Sequence, residues 1–223
     1  MRGIIILFLL CNFSGWTQEL PSGSYDELKS GIATKRQEFN RLYLSDSTHR
    51  DTLIAFAKQY VFQKITNEIF KHWYGTPWEF YGQTEVPHQD AIACGYFVTT
   101  VLRDAGFNIP RVKWAQCASE VMIKRIAADI RRFHSAPIED IEDYICHEGD
   151  GLYLAGLDNH VGFIVKKDDR ILFVHSNYYQ PEIGVMAEDI NGWNPLSNSR
   201  YRVIGKLLSD EMMAKWIEGE RIE

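Results

Sequence analysis

The sequence predicts an α+β fold in which helices come first and an antiparallel sheet follows. Apolar residues recur at three- and four-residue steps in the first half of the chain, and the spacing changes to two after about residue 150. The composition agrees, because 223 residues that are 45% hydrophobic and 24% charged can bury a sizeable core. This length indicates one domain with an extension, or two small domains.

The charge balance excludes one large class of partner. Lys and Arg total 24 against 30 Asp and Glu, which gives a formal net charge of −6 at pH 7. Proteins that bind nucleic acid concentrate basic residues on one surface, and nothing in this sequence resembles such a surface. We therefore expect no nucleic-acid partner. The Cys and His residues also lack the spacing of a zinc site, so we expect no metal.

Residues 1–17 are predicted to be a secretory signal peptide. Arg2 precedes an apolar run over residues 4–13, and small or polar residues follow that run. The run is too short for a comfortable membrane span. We therefore expect a secreted or periplasmic protein with no integral span after cleavage. The alternatives are a buried helix or strand and a lipid anchor at Cys11, which the large Leu10 disfavours.

Apolar spacing and end signals predict the order of the elements. Residues 25–43 and a second helix, capped by Ser45-Asp46 and ending near residue 72, make up an N-terminal extension over 18–72 that carries no chemical motif. Further helices are predicted at 94–105 and 115–133, and strands at 152–154, 161–165, 171–175 and 201–204.

Cys94 lies where a loop becomes the predicted helix over 94–105. A helix N-terminus offers unpaired backbone N–H groups and the positive end of the helix dipole, which favour the nucleophilic thiolate. We expect Gly95 to leave room for a substrate carbonyl beside the sulfur, and the N–H groups of this turn to stabilise an oxyanion. The alternative is a buried structural cysteine.

The cysteine count predicts one free thiol. Signal cleavage leaves three cysteines, and in an oxidising compartment an odd thiol stays free or pairs with another chain. Cys117 lies in the first turn of the predicted helix over 115–133, and Cys146 lies just before a glycine-rich turn. The simplest hypothesis joins Cys117 to Cys146 in a disulfide and leaves Cys94 free.

A predicted hairpin brings two histidines together. If the turn is centred on Asp168-Asp169, the numbers of paired residues sum to 337, and His160 then lies opposite Asn177. Opposed residues point to the same face, so His160, His175 and Asn177 share one side of the sheet. A thiolate nucleophile needs a histidine that a third polar group holds in place. The alternative for each histidine alone is an ordinary, partly buried sheet residue.

These residues resemble the NlpC/P60 family of papain-like cysteine peptidases. The family carries a Gly-Thr-Pro-Tyr-like segment, a Cys-containing motif that opens a helix, a His-Val-Gly-Ile strand and an Ile-His on the next strand. The matching segments here are Gly75-Thr76-Pro77-Trp78, Tyr81-Gly82, Cys94-Gly95-Tyr96-Phe97-Val98, His160-Val161-Gly162-Phe163-Ile164 and Val174-His175. The resemblance covers roughly residues 73–207.

The resemblance implies a role for each matching residue. Cys94 would be the nucleophile, His160 the general base and acid, and His175 the group that orients His160. Tyr81 matches a family tyrosine that helps to position the reacting carbonyl. The fallback residues are Asn177 as the orienting group and Gln83 or Gln89 as the oxyanion donor.

The resemblance also implies a fold and an activity. Residues 73–223 would form a papain-like core, in which the helix that carries Cys94 packs on the antiparallel sheet. The chain would be a secreted cysteine hydrolase that cleaves amide bonds in peptidoglycan stem peptides through a thioester, without a cofactor. The sequence departs from the family at Ala93, at Gly95 and in a longer loop over 82–93. Two alternatives therefore stay open: a thiol hydrolase or transamidase with another acyl donor, and a non-catalytic binding module.

Overall fold

The structure is a computed structural model that describes residues 23–223. The predicted signal peptide, its cleavage point and Cys11 lie outside the described residues. The described chain has the predicted α+β fold, with an antiparallel sheet in the strand order β1-β6-β2-β3-β4-β5. In this part of the chain, no helix combines the length and the apolar character that a membrane crossing requires.

Helices are interspersed with strands after residue 133, where the sequence predicts strands only. The helices are α1 (Tyr25–Ser45), α2 (Arg50–Gln63), α3 (Phe70–Trp73), α4 (Cys94–Asp104), α5 (Arg111–Ala115), α6 (Ser119–Ile126), α7 (Ile138–Glu148), α8 (Pro195–Asn198) and α9 (Asp210–Glu218), and a π-helical segment, Lys64–Ile69, joins α2 to α3. The strands are β1 (Ala128–His134), β2 (Gly151–Leu157), β3 (Val161–Lys167), β4 (Arg170–Ser176), β5 (Val185–Asp189) and β6 (Tyr201–Lys206).

The N-terminal helices pack onto the half of the chain that carries the candidate site. Ser24 caps α1 through a reciprocal pair of hydrogen bonds with Glu27, which satisfies the free amides of the first turn. At the other end of the extension, the Phe70 ring lies 5.2 Å from that of Phe163, and the Trp73 ring lies 6.2 Å from that of Phe97. Residues on both sides of the predicted boundary at residue 72 therefore belong to one continuous hydrophobic core.

The sheet is covered on both faces. Alternate residues of each strand point to opposite sides. One set, which includes Leu154 and Phe163, packs in the core that contains α4. The other set, which includes Tyr153 and Ile164, packs against α7. The predicted hairpin register is confirmed, because Lys167 pairs with Arg170, and Phe163 pairs with Val174.

The predicted helix over 115–133 is wrong. The chain forms α5 and α6 and then turns into β1, which pairs with β6. β1 lies at an edge of the sheet and is largely exposed, so it lacks a strict two-residue alternation. Its two large apolar residues, Ile130 and Phe133, are three positions apart, a spacing that also fits a helix.

The predicted disulfide between Cys117 and Cys146 is also wrong. Cys94, Cys117 and Cys146 are each unpaired in the described part of the chain. Cys117 packs against the core that contains α4. Cys146 is an exposed residue of α7, whose apolar side chains cover the opposite face of the sheet. The sheet therefore separates the two sulfur atoms.

Candidate active site

Cys94 is the first residue of α4, as the sequence predicts. The preceding residue, Ala93, is extended and makes no side-chain cap, so the first amides of the helix remain available near the sulfur. Cys94 and His160 line the same two cavities, which have volumes of about 380 and 570 Å³. The smaller cavity is bordered by α5, α6 and Tyr201, and the larger by the aromatic residues around Trp78.

The predicted ionisation of Cys94 is not what the structure shows. Burial raises the pKa of the Cys94 thiol, because a buried thiolate loses its hydration. Hydrogen bonds from the backbone amides of Val161, Gly95 and Cys94 itself lower this pKa, but burial is the larger effect. The sulfur therefore rests as a neutral thiol. The hydrogen bond from Val161 also shows that the first residue of β3, which directly follows His160, lies next to the sulfur.

Gly95 does not leave room for substrate, contrary to the expectation from the sequence. A side chain at this position would collide with the backbone carbonyl of Ala115. The absence of a Cβ atom therefore serves the close approach of α4 to α5. Substrate must reach the sulfur from the two cavities instead.

A chain of hydrogen bonds runs from His160 away from the cavities. Nε2 of His160 lies 2.8 Å from Nδ1 of His175, and Nε2 of His175 lies 2.7 Å from a carboxylate oxygen of Glu188. Asn177 donates its side-chain N–H to the same oxygen at 3.1 Å. His160, His175 and Asn177 are all buried. The structure thus brings together the three residues that the hairpin register predicts on one face.

This chain of hydrogen bonds determines which nitrogen of His160 is free. An ionised Glu188 can only accept, so His175 donates from Nε2 and keeps a lone pair on Nδ1. His160 then donates from Nε2 and keeps a lone pair on its own Nδ1. That Nδ1 atom is buried and makes no hydrogen bond to any of the described residues. It is therefore a base without a partner, in a residue that lines the same cavities as Cys94.

The two imidazoles are neutral at rest. Burial lowers the pKa of His160 well below its ordinary value, and the neighbouring His175 adds to this effect. Burial also lowers the pKa of His175 to about 3. Burial raises the pKa of Glu188, whereas donation from His175 and Asn177 favours its ionised form. We call the hydrogen-bonded series of His160, His175 and Glu188 the relay. Both imidazoles of the relay are neutral before His160 takes a proton from the thiol.

The remaining predicted site residues occupy different positions. Asn177 contacts Glu188 rather than His160, so it supports the end of the relay, and His175 makes the orienting contact. Tyr81 lines the larger cavity, although 85% of its surface is exposed. Gln83 lines that cavity too, and its backbone is bridged to Ile92. Gln89 is exposed and is not part of the lining.

Two residues near the site were missed from the sequence. Glu188 lies on β5, a short edge strand without an apolar alternation, so neither its strand nor its role is predicted. The ring of Tyr178 lies 5.1 Å from that of His160 and lines the larger cavity. Its position directly after Asn177 was the available signal, because the chain leaves the strand that carries His175 only at Ser176.

Comparison with known proteins does not assign the chain to a family. No family model matches the chain, and no curated protein matches it significantly. In residues 23–223, no group of three or more His, Cys, Asp or Glu side chains is arranged to hold a metal ion.

Proposed function

We propose that this protein is a cysteine hydrolase that cleaves amide bonds by acyl transfer. One observation carries the proposal: the buried, unpartnered Nδ1 of His160 belongs to a ring that a hydrogen-bonded relay holds beside the cavities of Cys94. A nucleophile, a base and a group that orients the base are the minimum set for this chemistry.

The proposed reaction begins with proton transfer, because Cys94 rests as a thiol. Nδ1 of His160 takes the thiol proton as the sulfur attacks the amide carbonyl. The amides of Cys94 and Gly95, which donate to the sulfur at rest, stabilise the resulting oxyanion once the sulfur is bonded to the carbonyl carbon. His160 then gives the proton to the leaving amine, and the carbonyl carbon remains bound to sulfur as a thioester. Water, deprotonated by His160, attacks the thioester, which releases a carboxylic acid and restores the thiol.

The order of the elements supports a papain-like core of the NlpC/P60 type. The nucleophile opens α4, the base immediately precedes β3, and the orienting histidine lies on β4. This is the order of the resembling motifs, which implies peptidoglycan stem peptides as the substrate. The predicted signal peptide would place the protein where that substrate occurs.

Digestion of purified peptidoglycan tests this proposal. Mass spectrometry should identify new amine and carboxylate termini after incubation with the wild-type protein. Cys94→Ala and His160→Ala should reduce product formation to the background rate. Cys146→Ala should keep activity, because Cys146 is exposed on α7, which packs on the other face of the sheet. Equal activity of wild type and Cys94→Ala would contradict the proposal.

The loop over 82–93 favours a second candidate function, transfer of the acyl group to an amine. Arg111 donates to the carbonyl oxygens of Gln83 and Thr84, at 2.9 and 3.0 Å, and so fixes the loop beside the larger cavity. A loop fixed at the edge of this cavity can bind an amine, which then attacks the thioester in place of water. Adding glycinamide to the digestion distinguishes the two reactions, because a transamidase would form the new amide at the expense of the free acid.

A further inference from the structure

A row of aromatic rings leads from His160 to the protein surface. The Tyr178 ring lies 5.1 Å from that of His160 and 6.0 Å from that of Trp78. The row continues from Tyr178 to Tyr179 at 4.7 Å, and from Tyr179 to Trp193 at 4.6 Å. We call Trp78, Tyr178, Tyr179 and Trp193 the aromatic track.

Burial in the core does not explain the outer end of this track. Trp193 is 71% exposed, and across the larger cavity Phe80 and Tyr81 are 71% and 85% exposed. A single exposed aromatic residue is ordinary, but a row of contacting rings that ends at a cavity, as this row does at Trp78 and Tyr178, indicates a binding surface. Because the Tyr178 ring contacts that of His160, a molecule bound along the track would be the substrate that reacts at Cys94.

The charges around the track select against an anionic ligand. The rings lie on two segments, 76–93 and 178–193, neither of which contains Lys or Arg. The acidic residues of these segments are Glu79, Glu85, Asp90, Glu182, Glu188 and Asp189. Glu85 is paired with Arg103 and Arg111, and Glu188 is bonded to His175. The exposed carboxylates Glu79, Asp90 and Glu182 would still repel a phosphate or a nucleic acid.

The track combines flat apolar faces with polar edges. The hydroxyl groups of Tyr178 and Tyr179 lie at the rims of their rings, and the Tyr178 hydroxyl donates to Asn159 at 3.3 Å. Asn159 in turn lines both cavities beside Cys94. A pyranose ring has the complementary character, with C–H groups on its faces and hydroxyl groups around its rim.

We infer that the aromatic track binds a neutral glycan that is covalently attached to the peptide cleaved at Cys94. The inference rests on the proposed function and extends it, because the enzyme would then prefer stem peptides that still carry their sugars. The sugars would lie across Tyr179 and Trp193, and the scissile amide would reach the sulfur along Tyr178. Binding energy from the sugar would hold the amide in place for attack.

A binding experiment tests the track without catalysis. Chitotetraose, a neutral oligomer of N-acetylglucosamine, would be titrated into the full chain by calorimetry. We expect saturable binding that weakens at least tenfold in Trp193→Ala and in Tyr179→Ala. Phe56→Ala is the matched control, because this ring is 58% exposed on α2, outside the track, and its removal should leave affinity unchanged. No saturable binding, or equal affinity in wild type and Trp193→Ala, would overturn the inference.

A kinetic experiment connects the track to the substrate. The ratio of kcat/KM for a disaccharide-linked stem peptide to that for the same peptide without sugar should exceed tenfold in the wild type. It should fall towards one in Trp193→Ala and stay unchanged in Phe56→Ala. A wild-type ratio of one, with both peptides cleaved, would contradict the glycan inference alone. Tighter binding of an apolar tetrapeptide than of chitotetraose would contradict it as well. If neither peptide is cleaved although chitotetraose binds through Trp193, the proposed hydrolase function fails and the glycan site stands.

Discussion

The ionisation of Cys94 and His160 depends on how deeply each group is buried. Both groups lose hydration at the base of the cavities, and each loss favours the neutral form. The helix N-terminus opposes this effect at the sulfur but does not overcome it. The nucleophile therefore forms only when substrate is present and the proton moves to Nδ1 of His160. The three elements α4, β3 and β4 keep the two groups in place for that step.

Alkylation of Cys94 by iodoacetamide should show this neutral resting state. We expect the rate to rise about tenfold per pH unit between pH 6 and pH 8, because the thiolate is the reacting form and burial raises the thiol pKa. Labelling would be followed by mass spectrometry of the Cys94 peptide, with exposed Cys146 as the internal reference. A flat rate between pH 5 and pH 7 would show a thiolate–imidazolium pair and contradict this account.

Glu188 is predicted to act as a positioning residue through His175. Glu188→Gln removes the negative charge that fixes the direction of the relay, so we expect kcat to fall about tenfold or more with little change in KM. Glu182→Gln is the matched control, because Glu182 is an exposed carboxylate on the segment that leads into β5. Steady-state kinetics and thermal unfolding would be measured for both. An unchanged kcat in Glu188→Gln would remove Glu188 from the mechanism.

At the scale of elements, the hairpin of β3 and β4 sets the spacing of the two histidines. The side chains of His160 and His175 form a hydrogen bond. Gly162 lies next to both His175 and Phe173. A Cβ atom at Gly162 would come within 2.8 Å of the His175 Cβ and within 2.6 Å of the Phe173 ring. The Phe173 ring itself stacks on His175 at 4.3 Å. The glycine therefore leaves space for the relay.

Gly162→Ala should disturb the relay more than the fold. We expect a loss of about 1–3 kcal/mol in the free energy of unfolding from overpacking, and a larger proportional loss of kcat because His175 must shift. Gly31→Ala is the control, since nothing lies within 4 Å of the added methyl group and the residue is on α1. This control should change stability by about 1 kcal/mol or less and leave kcat unchanged. Full activity in a folded Gly162→Ala protein would contradict the role of this spacing.

The elements with strong local signals were predictable, and those that depend on long-range pairing were not. The start of α4 at Cys94 and the β3–β4 register follow from a loop-to-helix change and a short polar turn. β1 and β5 are edge strands, whose exposed sides remove the alternation that marks a strand. Glu188 joins the site only through the pairing of β5 with β4. The raised pKa of Cys94 likewise depends on tertiary burial, which the local sequence does not reveal.

At the scale of the whole molecule, the buried relay couples stability to pH. His160 and His175 are neutral in the folded state, but an unfolded chain exposes both rings, with a pKa of about 6.5. Below that pH the unfolded state binds more protons, so stability falls as the pH decreases. For His175 the loss extends down to its folded pKa of about 3. Glu188 acts in the opposite direction: burial raises its pKa above the ordinary 4.5, so its contribution to stability is lost as the pH rises above that value.

Urea unfolding at pH 7, 6 and 5 should show this dependence. Each buried imidazole contributes a slope of up to about 1.4 kcal/mol per pH unit below pH 6.5. We expect His175→Gln to have a shallower slope than the wild type, because one of the two groups no longer titrates. His147→Gln is the control, since 86% of its side chain is exposed. Parallel slopes in wild type and His175→Gln would show that the buried relay does not control acid sensitivity.

The most direct test of this account is the protonation state of His160, measured by ¹⁵N NMR of the imidazole nitrogens. Comparison with His160→Gln would assign the signals among the seven histidines of the chain. We expect that at pH 7 Nε2 of His160 carries the proton and Nδ1 is bare. A proton on Nδ1, with Nε2 accepting from His175, would leave Cys94 without a base and contradict the proposed mechanism.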